Sequence, residues 1–256
     1  MLPAIFVSHG APTLPFDDCP ARDFLRGLGK EIGNPRAILI ASAHWDTGTP
    51  IVNDVPVNDT IHDFRGFPPP LYELRYNAPG SSAVANRAAD LLRAANLPTD
   101  INHTRGLDHG AWVPLLLMYP QADIPVVQLS VQGHAGAAHH IKMGRALQSL
   151  RDDDILVMGS GGFVHNLRLL DRGGINAPEP QWCHDFSNWM DAAVNERRED
   201  DLKNYRTLAP NAVMAQPEEE HFMPLFVAYG AGGEKTRRLH KSTTFGSLRM
   251  DAYSFS

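Results

Sequence analysis

Ala4-Ile5-Phe6-Val7-Ser8-His9-Gly10 is the stretch on which the reading of the whole chain turns. A short apolar run stops abruptly at a serine, a histidine and a glycine. It is too short for a buried helix and half β-branched, so it predicts a buried strand that delivers His9 at its carboxyl end. The same construction returns further on. Ala37–Ala41 runs through Ser42 and Ala43 to His44-Trp45, and Ile155–Met158 runs through Gly159-Ser160-Gly161-Gly162, read as a glycine turn, to His165-Asn166. Ile124–Val131 is a further run of strand character. Runs that are apolar throughout, rather than alternating, suit a sheet covered on both faces.

Helical patterns lie between these runs. Pro20–Ile32 groups Phe24, Leu25 and Leu28, with Asp18 ahead of it as an expected cap. Ser81–Ala95, Ala135–Leu150 and Gln181–Arg197 carry apolar residues at helical spacing. Strand alternating with helix predicts an α/β fold: a three-layer α/β/α domain with a mostly parallel or mixed central sheet. The 256 residues are read as a single domain, 1–256. The C-terminal stretch Leu239–Phe255 is expected to add edge strands.

Residues 47–80 break the pattern. Six prolines interrupt the segment, and Phe64, Phe67, Tyr72 and Tyr76 punctuate it. A long irregular segment in a compact domain is more often functional than idle, so it is expected to wall one side of a site. There is also a short internal echo. Asp108-His109-Gly110-Ala111-Trp112-Val113-Pro114-Leu115 and Glu220-His221-Phe222-Met223-Pro224-Leu225 each place an acid and a histidine before a Pro-Leu that opens an apolar helix. Each proline is expected in a first helical turn, where its missing N–H costs nothing.

Composition excludes several classes of function. The net charge is −6, which gives no electrostatic footprint for nucleic acid or an anionic membrane. Met1–Gly10 has no basic leader character, and no apolar run is long enough for a membrane span. The two cysteines, Cys19 and Cys183, form no CxxC, which disfavours a thiolate zinc site; such sparse usage fits a reducing, cytoplasmic compartment. Gly159-Ser160-Gly161-Gly162 lacks the lysine of a phosphate loop and the spacing of a dinucleotide fingerprint.

The chemistry therefore rests on histidine. One histidine after a strand is ordinarily a hydrogen-bonded loop residue. His9, His44, His165 and His221, each beyond an apolar run or at a helix start, point instead to a shared site at the carboxyl ends of the strands, where open α/β sheets bind ligands. Imidazole suits zinc, copper, iron and nickel. Glu218, Glu219 and Glu220 stand ready to orient His221 or to ligate themselves. His62, in Thr60-Ile61-His62-Asp63-Phe64, is a candidate for the substrate pocket, whereas His134, His139 and His140 are read as surface or partly buried.

Several of these stretches together resemble the class III extradiol dioxygenases, specifically the bacterial branch of the 4,5-DOPA dioxygenase family. They are Ser8-His9-Gly10-Ala11-Pro12, Ser42-Ala43-His44-Trp45, Thr60 through Pro68, Leu107-Asp108-His109-Gly110-Ala111-Trp112, the Gly-Ser-Gly-Gly turn with His165-Asn166, and Glu219-Glu220-His221. They run in order along nearly the whole chain. The resemblance implies a non-haem enzyme that opens the ring of a catechol with O2. It implies His9, His44 and His221 as metal ligands, His165 as the acid/base histidine and a fourth ligand in a resting site, and His109 as a histidine facing substrate or dioxygen. His62, Trp45 and Phe64 are the expected substrate contacts. Fe(II) is the implied cofactor, and Zn(II) would occupy the same ligands without supporting oxygen chemistry. The partners are a small aromatic diol and O2, in a monomer or small homo-oligomer. Gln216 stands where the family pattern leads one to expect a histidine. Two rivals remain at this point: a zinc hydrolase with Glu219 or Glu220 as base, and a metal-binding protein without turnover.

Overall fold

The computed structural model describes residues 1–171 and 173–256. Each apolar run becomes a strand, and the alternation of side chains within it explains why the run is apolar. In β1 (Ala4–Ser8), Phe6 faces one layer while Ile5 and Val7 face the other, and all three are fully buried. β2 (Ala37–Asp46) divides in the same way: Leu39 and Ala41 to the first layer, Ile38 and Ile40 to the second. Full burial of a side chain the size of Phe6 contributes about 1.5–3 kcal/mol.

The remaining elements follow in order. β3 (Ile51–Asn53) is followed by α2 (Ser82–Ala94), β4 (Asp100–Asn102), α3 (His109–Met118), β5 (Val126–Val131), α4 (Gly136–Leu147) and β6 (Ile155–Gly161); α1 (Pro20–Ile32) lies between β1 and β2. Next come α5 (Gln181–Asn195) and three short helices, α6 (Glu199–Lys203), α7 (Tyr205–Leu208) and α8 (Ala212–Ala215). α9 (Met223–Ala231), β7 (Thr236–His240), β8 (Thr243–Thr244), β9 (Leu248–Arg249) and β10 (Ala252–Phe255) complete the chain.

Among the described residues, one eight-stranded sheet runs β4-β3-β5-β2-β6-β1-β10-β7. Its centre is parallel, with β2 pairing β5 and β6, and β6 pairing β1. β10 joins β1 antiparallel, and β3 joins β5 antiparallel. α2, α4, α5 and α9 cover the first face, and α1 and α3 cover the second. This is the expected three-layer α/β/α architecture with a mixed, mostly parallel sheet.

Several local expectations are corrected. α1 is capped by Cys19 with Pro20 at its first position, and no side chain caps it; Asp18 instead pairs with Arg22 at 2.8 Å. β10 is not an edge strand, because it lies between β1 and β7, and the edge is β7. Glycines 159 and 161 belong to β6 itself rather than to a turn after it. His140 is fully buried, with Nδ1 donating to the Gly136 carbonyl (2.7 Å) and Nε2 accepting from the Gln132 N–H (3.0 Å). Pro114 sits inside α3, past its first turn. Its missing N–H frees the Gly110 carbonyl one turn back, and the Ser160 hydroxyl donates to that carbonyl from β6. Cys19 and Cys183 are both free and buried.

Residues 47–80 are anchored rather than looped out. They supply β3, and Asn58 bonds the Ala78, Pro79 and Val126 carbonyls through its side-chain amide at 3.0–3.2 Å. No helix is long and apolar enough to cross a membrane among the described residues.

Candidate metal centre and active site

Five histidines from distant parts of the chain meet at the carboxyl ends of the parallel strands. His9 is the residue after β1, and its N–H bonds the Gly161 carbonyl at 3.0 Å. His44 lies where the pairing of β2 with β5 jumps from Ser42 to Asp46, so the strand bulges there. Such bulges re-aim a side chain. His109 opens α3 beneath the cap made by Asp108, whose carboxylate accepts from the Ala111 N–H. The helix comes in close because residue 110 is glycine; a Cβ there would collide with Ser42 Oγ and His44. His221 sits just ahead of α9, and its carbonyl accepts from the Gly162 N–H at 2.8 Å. A Cβ on Gly161 would strike that same carbonyl. His165 is held through its N–H to the Ala215 carbonyl (2.9 Å). Gln216 braces the same turn, donating to the carbonyls of Gly162 (2.9 Å) and Phe163 (3.1 Å).

His9, His44 and His221 form a trio whose ligand atoms all lie within 4.8 Å of one another. His44 Nε2 is 3.1 Å from His9 Nε2 and 3.1 Å from His221 Nε2. The other ring nitrogens decide what these distances mean. His221 Nδ1 meets Glu220 Oε1 at 2.8 Å, which only an N–H can satisfy against an ionised carboxylate. His44 Nδ1 faces Asp63 Oδ2 at 3.3 Å. His9 Nδ1 faces Ser160 Oγ at 3.2 Å, and the Ser160 proton is already given to the Gly110 carbonyl. Glu220, Asp63 and Ser160 each favour the proton on the Nδ1 they face, which leaves the Nε2 lone pairs of His9, His44 and His221 turned towards one another. A metal cation among them would satisfy all three at once. Two nitrogens bound to one ion at about 2.1 Å are about 3.0–3.4 Å apart, so the spacing fits a metal.

Electrostatics keep the rings in ligand form. Burial, reinforced by the neighbouring imidazoles, pushes His9 and His221 well below the usual imidazole value. Burial and His109 lower His44 to about 3, with Asp63 opposing them. Burial, with His109, brings His165 to about 4. Burial works to raise Asp63, but hydrogen bonds from His109 outweigh it and hold its carboxyl at about 2. Neutral imidazole is the form that binds metal.

Beside the trio lies a cavity of about 600 Å³, lined by His9, His44, His109, His165 and His221 together with apolar residues. That size suits a small aromatic ligand. Phe64 and Phe67 from residues 47–80 form one wall, and Leu167, Leu170, Phe245 and Leu248 form another. His62 and Trp45 are not in the lining. His62 sits behind Phe64 with Nε2 on the Leu74 carbonyl at 3.1 Å, and Trp45 is buried under the Arg105 guanidinium, 4.7 Å from its ring centre. The His165 ring stacks on His221, centroids 3.4 Å apart, and no hydrogen bond fixes its ring nitrogens among the described residues.

Asp63 and Ser160 also belong to the site; each flanks candidate residues in the sequence but carries no motif of its own. Nothing local in the sequence marks the C-terminal wall, Phe245 and Leu248, because both reach the cavity from a segment remote in sequence from the histidines. Of the three acids before His221, Glu220 is the one on its ring, and Glu219 bonds the Tyr205 hydroxyl at 2.6 Å.

Residues 3–253 match the family described as the catalytic LigB subunit of aromatic ring-opening dioxygenase. The chain belongs to this family. Its LigB relatives include a 4,5-DOPA dioxygenase extradiol from Beta vulgaris, 46% identical, with 98% of this chain and 95% of the relative aligned. Another of the same name from Mirabilis jalapa is 40% identical over 98% of this chain and 96% of the relative. A crystal structure of an uncharacterized Escherichia coli K12 protein superposes over 100% of both chains, with a TM-score of 0.82 and 33% identity. As a LigB-family enzyme the chain is an extradiol, ring-opening dioxygenase, and the buried histidine group is the part of it suited to a metal.

Proposed function

We propose that this enzyme opens the ring of a DOPA-like catechol beside its diol, using O2 and a ferrous ion held by His9, His44 and His221. The observation that carries the reading is the convergence of three imidazoles, with His44 Nε2 3.1 Å from Nε2 of both His9 and His221, on the edge of an aromatic-walled cavity. Ferrous iron held by these three histidines would bind a diol and O2 and supply the electron transfer that oxygen chemistry needs. Zinc fits the same nitrogens but has no redox chemistry.

The chain's own residues supply the rest. Phe64 and Phe67 hold the ring in plane and keep water from it. His165, neutral through burial and unpinned at either ring nitrogen, accepts a proton from a catechol hydroxyl and later returns it to the opening ring. His109 faces the same cavity and contacts the bound diol. His221 takes the third ligand position, while Glu220 holds its Nδ1–H.

The test is product analysis. Protein reconstituted anaerobically with Fe(II) should convert L-DOPA or a simpler catechol, after air is admitted, to a yellow product whose mass is that of substrate plus O2. A product in which the ring is intact, such as a quinone, overturns the reading.

A further inference from the structure

Asp63 lies outside the ligand trio, yet it touches both halves of the site. Its Oδ1 accepts two hydrogen bonds from one residue, the backbone N–H of His109 and the ring Nδ1–H of His109, both at 2.9 Å. Its Oδ2 faces His44 Nδ1 at 3.3 Å. The two rings it serves lie 3.8 Å apart, centre to centre. The carboxylate comes from the segment 47–80 and sits beside Phe64, which walls the cavity.

We infer that Asp63 is the positioning residue that fixes the tautomer of His44 and His109 together, leaving Nε2 of one open to the metal and Nε2 of the other open to the substrate. An acceptor-only carboxylate facing both Nδ1 atoms favours a proton on each. The inference rests on the reading of His44 as a metal ligand and of His109 as the residue beside the diol. It joins the 47–80 segment to the metal: the carboxylate that orients the ligand rides on the same stretch of chain as the aromatic wall.

The geometry makes Asp63→Asn unusually informative. The His109 backbone N–H can only donate, so the amide oxygen must remain on the His109 side. The amide NH2 then faces His44 Nδ1. To avoid opposing two donors, His44 must move its proton to Nε2, the atom aimed at His9 and His221. Asn fills the same space as Asp, so a merely structural role would leave this variant closest to the wild type. A tautomer-setting role makes it the worst. Asp63→Ala removes the bias without reversing it and should fall between the two.

The experiment is an anaerobic Co(II) titration, read by the visible absorption of the bound ion, on the wild type, Asp63→Asn, Asp63→Ala and His44→Ala. Thermal melts of the metal-free proteins report folding. Loss of a carboxylate behind a ligating histidine typically costs about 10–100-fold in metal affinity. The expected order of affinity is wild type, then Asp63→Ala, then Asp63→Asn, with the last weaker by at least about tenfold and its metal-free melt close to wild type. An Asp63→Asn protein that binds Co(II) like the wild type, or more tightly than Asp63→Ala, overturns the role of Asp63 while the ligand assignment stands, provided His44→Ala has lost the ion. Undiminished binding by His44→Ala overturns the ligand assignment and this inference together.

Discussion

Ser160 shows how much of this site depends on single polar atoms. Its hydroxyl donates to the carbonyl that Pro114 leaves free in α3 and accepts from His9 Nδ1, and so links a helix irregularity to a metal-facing ring. Ser160→Ala leaves both partners buried and unpaired, which costs about 1–3 kcal/mol. The expected outcome is a lower urea midpoint together with weaker metal binding, measured on the same preparation; an unchanged midpoint contradicts it. His165→Ala should behave differently. With the trio intact, bound metal is retained and ring opening falls by about 10²–10⁴-fold, the usual loss for an acid/base residue. Metal analysis beside turnover separates the two cases, because loss of the ion with the activity would make His165 a ligand. At this scale His9, His44 and His165 were legible because each lies beyond an apolar run, and His221 because it stands at a helix start. Asp63 was not, since its partners His44 and His109 are remote in sequence and no periodicity marks a carboxylate that reaches them.

The elements are placed by close approach as much as by apolar pattern. β6 and the His221 segment are in contact through backbone, and Gly161 is what allows it. Gly161→Ala forces the His221 carbonyl away from the strand. Overpacking of this kind costs about 1–3 kcal/mol, and here the displaced residue carries a ligand ring. Denaturation and metal binding should therefore fall together; a variant with wild-type affinity would show that His221 tolerates the shift. The sequence displayed β1, β2, β5 and β6 because strands buried on both faces read as uninterrupted apolar runs. It did not display β3 and β4, which are three residues each and partly polar. The glycines of β6 were visible but read as a turn, because their function is contact with a segment some sixty positions on, and spacing within the chain carries no trace of that. Pro114 was misplaced for a related reason: the hydroxyl that compensates for it comes from another strand.

For the whole molecule, the alternation of strand and helix was enough to fix three layers. The strand order and the C-terminal return of β10 beside β1 were not legible, since they depend on pairings between the two ends of the chain. One property belongs to the molecule as a whole. His44 and His140 are lowered to about 3 and His165 to about 4, chiefly by burial. Below about 6.5, the unperturbed value, the unfolded chain takes up protons that the folded one refuses. Stability is therefore full above that pH and is lost as the pH falls from there through 4 towards 3. The melting temperature of metal-free protein should fall steadily between pH 6.5 and 4.5. Bound Zn(II) should raise the melting temperature but leave the fall starting near pH 6.5, because metal-bound imidazoles still refuse the protons that the unfolded chain takes up. A flat melting profile across that interval contradicts the picture of a buried, neutral histidine cluster.

The central claim is that the histidine trio supports oxygen-dependent ring opening of a catechol, and an oxygen electrode tests it most directly. Protein loaded anaerobically with Fe(II) and the same protein loaded with Zn(II) are each mixed with a catechol panel that includes L-DOPA. The account predicts one O2 taken up per ring opened, with yellow product, in the iron sample alone. No uptake with any catechol, in protein whose iron is confirmed bound and ferrous, would contradict it.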